Sequence, residues 1–165
     1  MKALGRYLDQ AHQLGEHSFL KRHSGHYLLV QPFQELQGVS LQTLAGGGPG
    51  MGSGSIQVAP LEKRAGANAF ASMITVGRAR NNDLVFNAGG VSKFHAYFTV
   101  GVSGEASVID VESTHGTFVN YKRLASREPR VLRPNDQVRF GGVSMVYQDA
   151  PAFYKFLAAR SPSRT

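Results

Sequence analysis

Apolar positions fall into two rhythms along the chain. Leu4, Tyr7, Leu8, Ala11 and Leu14 recur at the three–four spacing that places side chains on one face of a helix, and Gly15 is suited to stop it. His26 to Gln31 (HYLLVQ) reads as a short strand ended by Pro32. From Ser72 onward the rhythm changes. Met73, Ile74 and Val76 lie in the run Ser72 to Gly77, and Val108, Ile109 and Val111 form another. Between them Ala96, Phe98, Val100 and Val102 alternate with Tyr97 and Thr99, which predicts one apolar face. Val138 and Phe140 precede Gly141-Gly142, and Val143, Met145 and Tyr147 follow. Two glycines between such runs predict a two-residue hairpin, because both turn positions tolerate positive φ. Turn-forming segments at 81–83, 87–90, 102–105, 113–116 and 133–136 separate the runs. Short strands with turns this regular predict an antiparallel β-sandwich. Asp149 is placed to cap a closing helix with Pro151 in its first turn. Its stripe of Phe153, Phe156 and Leu157 is expected to pack against the sandwich edge.

The stretch 46–55 (GGGPGMGSGS) has no periodicity and reads as a flexible linker. The expected organisation is therefore a helix-plus-strand extension over 1–45, the linker over 46–55, a β-domain over 56–149, and a C-terminal helix with a mobile tail over 150–165. Some 45 residues are few for an independent core, so the extension is expected to pack on the main domain or on a partner.

Composition narrows the class. Hydrophobic residues make up 42% of the 165, enough for a packed core, and there is no cysteine for a disulfide or a thiolate metal site. No apolar run approaches the length of a membrane span, and the N-terminus lacks a secretory signal pattern, so a cytoplasmic protein is expected. The formal charge of +7 favours anionic partners without choosing among them. Basic residues are scattered and do not interleave with aromatics, so nucleic acid is not expected. His12, His17, His23 and His26 lack convergent metal-ligand spacing, and 46–54 lacks the Gly-Lys-Ser/Thr of a phosphate-binding loop. Neither a metal nor a cofactor is expected.

Candidate chemistry concentrates in the loops 77–83, 91–96 and 110–120. They offer the Arg78 guanidinium, the Lys93 ammonium, the Ser92 and Thr114 hydroxyls and nearby backbone N–H groups, and no convincing acid–base pair. Such a set holds an anion rather than transforming a substrate: a planar guanidinium gives two parallel charge-assisted hydrogen bonds to a phosphate, and hydroxyls donate to its other oxygens.

The order of these residues resembles the forkhead-associated (FHA) domain family. The matching segments are Gly77-Arg78, Asn82-Asp83, Ser92-Lys93-Phe94-His95, Ser113 to Asn120 (STHGTFVN) and Asp136 to Gly141 (DQVRFG). The resemblance covers about 56–149. It implies an all-β antiparallel sandwich of about eleven strands, here with short helical extensions at both ends, whose loops bind a phosphothreonine peptide. By the same resemblance Arg78 and Ser92 contact the phosphate, Thr114 supports it or the peptide, and Lys93 adds a contact. His95, Gly116 and Asn120 support the loops. Two positions depart from the family pattern: His115 stands where Asn is frequent, and Tyr121 where Gly is. His115 is thus the residue expected to alter peptide preference.

The expected function is a non-catalytic phosphothreonine reader in Ser/Thr kinase signalling, its partner a phosphothreonine-containing protein such as a kinase or its substrate. The alternative is a phospho-independent assembly adaptor, docking through the sandwich or the N-terminal segment. Thr43, just ahead of the linker, is a candidate phosphosite that folds back into the same pocket. An enzyme is the weakest option, because no nucleophile–base set is present.

Overall fold

The computed structural model describes residues 1–30 and 56–162. The readings for Gln31, Pro32, Thr43, the linker 46–55 and the last three residues of the tail lie outside the described residues. In chain order the elements are β1 (Lys2–Ala3), α1 (Leu4–Arg22), β2 (His26–Val30), β3 (Gln57–Pro60), β4 (Ile74–Gly77), β5 (Leu84–Val85), β6 (Ala96–Val100), β7 (Ala106–Asp110), β8 (Thr117–Val119), β9 (Lys122–Arg123), β10 (Arg130–Val131), β11 (Gln137–Phe140), β12 (Val143–Asp149) and α2 (Ala150–Ala158). The strands form two sheets, ordered β1-β3-β2-β12-β11-β8-β9 and β10-β7-β6-β4-β5. Every pairing is antiparallel except β4 with β5. The antiparallel β-sandwich with a helical extension at each end is the fold that the strand rhythm implies.

Two apolar layers hold it together. Between the sheets lie Leu28, Val30, Val76, Phe98, Val108, Val138, Phe140 and Met145, all buried. On the outer face of the larger sheet, Tyr27, Leu29 and Val58 pack with Tyr7, Leu8, Ala11 and Phe19 of α1 and Phe153 and Leu157 of α2. Strand β2 therefore sends Leu28 and Val30 inward and Tyr27 and Leu29 outward. Its unbroken apolar run suits a strand covered on both faces, and each fully buried side chain contributes about 1.5–3 kcal/mol. It pairs with β12 on one side and β3 on the other, Val30 lying opposite both Met145 and Gln57.

The N-terminal helix does not stop at Gly15. The chain kinks there (φ 71, ψ 172) and resumes as helix to Arg22. The second half is held by packing: Phe19 is fully buried and rests against His23, Phe153 and Tyr154. At the other end Asp149 caps α2 by accepting the Ala152 N–H at 2.9 Å, with Pro151 in the first turn. The early histidines serve structure: His12 bonds the Arg160 carbonyl, His23 the Gln10 side chain and His26 the Tyr147 hydroxyl.

The Gly-Gly hairpin forms with Phe140 opposite Val143, and Gly141 takes the positive φ, 54°. The alternation of β6 ends early. Ala96 and Phe98 are buried, whereas Val100 and Val102 are exposed. The strand runs out at Val100, and the tight turn held by the Gly101 N–H on the Glu105 carbonyl takes Val102 beyond the opposing sheet.

Candidate functional site

The loops that connect β4 to β5, β5 to β6 and β7 to β8 meet at one end of the sandwich. Gly77 lets the first two touch. A β-carbon there would intrude on the Lys93 carbonyl and stand 2.8 Å from Asn82 Nδ2. Across that gap the Arg78 N–H donates to the Ser92 carbonyl (2.9 Å) and the Ala79 N–H to the Lys93 carbonyl (3.1 Å). Asn82 adds two bonds from its amide, to the carbonyls of Lys93 (2.7 Å) and Ala79 (2.8 Å). The arginine loop and the serine loop are thus one clamped unit.

His95 ties that unit to the third loop. It is fully buried; its Nδ1 accepts the Ser92 N–H at 3.1 Å. The proton therefore sits on Nε2, which donates to the Gly116 carbonyl at 3.0 Å. Burial holds its pKa below the ordinary imidazole value, against the opposing pull of the Gly116 carbonyl and of Asp110, so the neutral ring that this bonding requires is the favoured one.

The third loop is organised by Asp110. Its carboxylate accepts from the Ser113 hydroxyl (2.6 Å), the Thr117 hydroxyl (2.7 Å), the Ser126 hydroxyl (2.9 Å) and the Ser113 N–H (3.1 Å). Burial alone would raise its pKa; these donors together outweigh burial and keep it low. Ser113 Oγ in turn accepts the Gly116 N–H, and Gly116 turns the chain at φ 84°. This brings the Thr114 N–H to Ser92 Oγ at 3.1 Å.

The result is an open cleft of about 400 Å³ lined by Arg78, residues 87–92, Thr114 and His115. Arg78 is anchored at Nε to the Val91 carbonyl (3.3 Å) and forms no ion pair among the described residues. Among the described residues nothing bonds its two terminal nitrogens, which can therefore meet a ligand. The oxygen of Ser92 accepts from the Thr114 N–H, which leaves its hydroxyl proton free to donate. The cleft therefore presents an anchored cation and a hydroxyl donor in one lining, the chemistry of anion capture.

Of the residues singled out from sequence, Arg78, Ser92, Thr114 and His115 come together here. The Lys93 side chain is exposed and does not line the cleft; its carbonyl joins the loops instead. His95 and Gly116 lie behind the cleft. Asn120 sits at the far end of β8, where it bonds Asp136 (2.8 Å) and accepts the Gln137 N–H (2.9 Å). Sequence reasoning gave no role to Asn82 or Asp110 and read 87–90 only as a turn. Gly90 within it packs against Gly141, so the β11–β12 hairpin backs that wall of the cleft. Asn82 was legible as half of the Asn-Asp motif; Asp110 has a near donor in Ser113, but its full set of partners reaches to Ser126, sixteen residues away.

A loop-end cleft on a β-sandwich, built to hold an anion, defines a non-catalytic binding module. The FHA domain family model matches residues 74–141. The chain is 33% identical over 128 residues to the oxoglutarate dehydrogenase inhibitor of Corynebacterium efficiens, covering 72% of this chain and 83% of that protein. Among solved structures, the N-terminal FHA domain of S. cerevisiae Rad53p, in complex with a phosphothreonine peptide, superposes with a TM-score of 0.51 at 17% identity, over 80% of this chain and 98% of that one. Mycobacterium tuberculosis EmbR, in complex with a low-affinity phosphopeptide, gives 0.51 at 21% identity, over 76% of this chain and 24% of that one. Likeness at these identities shows the fold. The chain belongs to the FHA domain family.

Proposed function

We propose that this protein reads phosphothreonine in a partner protein, acting in Ser/Thr kinase signalling in the cytoplasm. The observation that carries the reading is that the Arg78 guanidinium, without an ion pair among the described residues, and the Ser92 hydroxyl line one open cleft, both held from behind. Arg78 supplies charge and two donors, Ser92 a third, and Thr114 and His115 border the peptide path. Lys93, exposed beside Ser92, adds long-range attraction rather than a wall of the pocket. No chemistry on the ligand is required.

Calorimetric titration of paired phosphothreonine and unphosphorylated peptides tests this. Removing one charge-assisted contact costs about 1.5–3 kcal/mol, so Arg78→Ala should weaken phosphopeptide binding about ten- to a hundredfold with an unchanged circular dichroism spectrum. Equal binding of the two peptides by the wild-type protein would overturn the reading.

The name of the corynebacterial relative favours a second reading, an adaptor that regulates an oxoglutarate dehydrogenase, and in that reading we take the docking to need no phosphate. Titration of that purified enzyme complex with unphosphorylated protein separates the two, because the second reading expects binding that survives phosphatase treatment of the enzyme.

A further inference from the structure

The outer apolar layer covers only part of the larger sheet. Helices α1 and α2 pack over β3, β2 and β12, and among the described residues none of that layer comes from β11, β8 or β9. Alternation fixes what the uncovered strands show. Val138, Phe140 and Val119 point into the core, so Gln137, Arg139 and Phe118 point outward. Register lines the outward residues up across the sheet: Ser144 of β12 lies opposite Arg139, Arg139 opposite Phe118, and Phe118 opposite Arg123. No carboxylate stands in that row.

Where the helical layer stops there is a groove of about 180 Å³. Leu29, Ile56, Val146 and Phe156 give it apolar walls. Arg160, also in the lining, lays its guanidinium 3.5 Å from the centre of the Phe156 ring and donates from Nη1 to the Phe156 carbonyl (2.8 Å). Arg139, one strand beyond on β11, is held in the same way, 3.9 Å from the centre of the Phe118 ring and with Nη1 on the Gly141 carbonyl (2.8 Å). Neither guanidinium forms an ion pair among the described residues. Burial without an anion pulls the Arg160 pKa below the ordinary arginine value. Gln148, in the same lining, is buried and donates to Asn135 (3.0 Å), yet its own amide oxygen meets no donor among the described residues. The groove shares no lining residue with the phosphate cleft.

We propose that the outer face of β11 and β8, together with this groove, docks an acidic amphipathic helix of a partner protein alongside α2. The inference does not rest on the phosphothreonine reading, because it concerns the opposite kind of surface, a sheet face rather than a loop end. Width decides for a helix. Strands lie about 4.8 Å apart, so β11, β8 and β9 offer about 14 Å, room for one helix of about 10–12 Å diameter laid beside α2. A third helix completes the layer that α1 and α2 begin, which is how a sheet buries an outer face. Charge decides the chemistry. Arg139 and Arg160 bracket the apolar walls without any carboxylate of their own, so the complementary helix carries an apolar stripe flanked by Asp or Glu. Arginine and aromatic side chains are also the groups enriched where protein surfaces meet.

The probes are three helical peptides with one Leu stripe: one with a polar face of Glu, one with Lys in its place, and one with the Glu sequence scrambled so that the stripe is lost. Fluorescence anisotropy against the full chain is expected to show the Glu helix binding about tenfold more tightly than either of the others. The double variant Arg139→Glu, Arg160→Glu is expected to reverse the preference toward the Lys helix, and Arg139→Gln with Arg160→Gln to abolish it. Circular dichroism and thermal unfolding check both folds, and the Gln pair, which adds no charge, carries the test if the Glu pair fails to fold. Amide resonances of Phe118, Val146 and Phe156 are expected to shift on adding the Glu helix. Equal affinity for the three peptides, or a preference that the folded variants keep, overturns the proposal. Loss of Glu-helix binding in Arg78→Ala places the peptide in the phosphate cleft and overturns it too. A parallel arm uses vesicles of phosphatidylserine and phosphatidylcholine. Vesicle binding that the Arg139, Arg160 variants abolish, without any preference among the peptides, assigns the face to a membrane surface and overturns the proposal.

Discussion

At the scale of single residues the cleft depends on atoms that never touch a ligand. Gly77 has no room for a side chain, and His95 works only while neutral. Protonating His95 places a hydrogen on Nδ1, where the Ser92 N–H now donates. Burial keeps the folded pKa below the ordinary 6.5, so between the folded value and about 6.5 the unfolded chain binds more protons. This contribution to stability is complete above about 6.5 and is lost as the pH falls toward the folded value. His23 and His26 shift in the same direction, also through burial, so a bulk melting curve would mix them. Nuclear magnetic resonance of the His95 ring separates the effect. Its midpoint is expected below 6.5, with the Ser92 amide moving at the same midpoint and phosphopeptide affinity falling over the same range. A His95 midpoint at or above 6.5 would contradict this account.

At the scale of elements, α1 carries its own strain. Gly15 sits at φ 71°, ψ 172°, a region that essentially excludes other residues. No atom outside its immediate neighbours lies within 4 Å of the position a β-carbon would take, so Gly15→Ala isolates the backbone term. It is expected to cost about 1–3 kcal/mol in urea unfolding while phosphopeptide affinity stays unchanged. The same kink explains what the sequence could not show. Periodicity carries the first half of α1 through Leu4, Tyr7, Leu8, Ala11 and Leu14, but the second half turns on Phe19, whose contacts are with α2 and far away in sequence. The strands were legible where alternation faces a partner sheet, as at Ala96 and Phe98, and misleading where the sheet ends, as at Val100. In the site, Arg78, Ser92 and Thr114 were legible because they stand in an ordered set of motifs. Lys93 stands next to Ser92 in sequence, yet its exposed side chain is not part of the cleft lining, a difference that sequence adjacency does not show. Asp110 has no sequence signature of its own, because its role comes from Ser113, Thr117 and Ser126 converging on one carboxylate from three, seven and sixteen residues away.

At the scale of the whole molecule, the matched family region spans residues 74–141, yet the larger sheet is completed by β2, from residues 26–30. Removing residues 1–55 would strip β12 and β3 of their shared neighbour and uncover Leu28's and Val30's place in the core. A fragment of 56–162 is therefore expected to lose cooperative thermal unfolding and to bind dyes specific for exposed apolar surface, whereas a fragment starting at residue 1 keeps both the cooperative transition and phosphopeptide binding. The pairing of β2 with β3 has one more consequence. Val30 lies opposite Gln57, so the two described stretches of chain end side by side on neighbouring strands. The cost of tethering two such neighbouring ends grows only slowly with the length of chain between them. This junction is accordingly where a foreign domain can be spliced in, or the backbone cut and the two pieces re-annealed, while the sheet itself serves as the fastener.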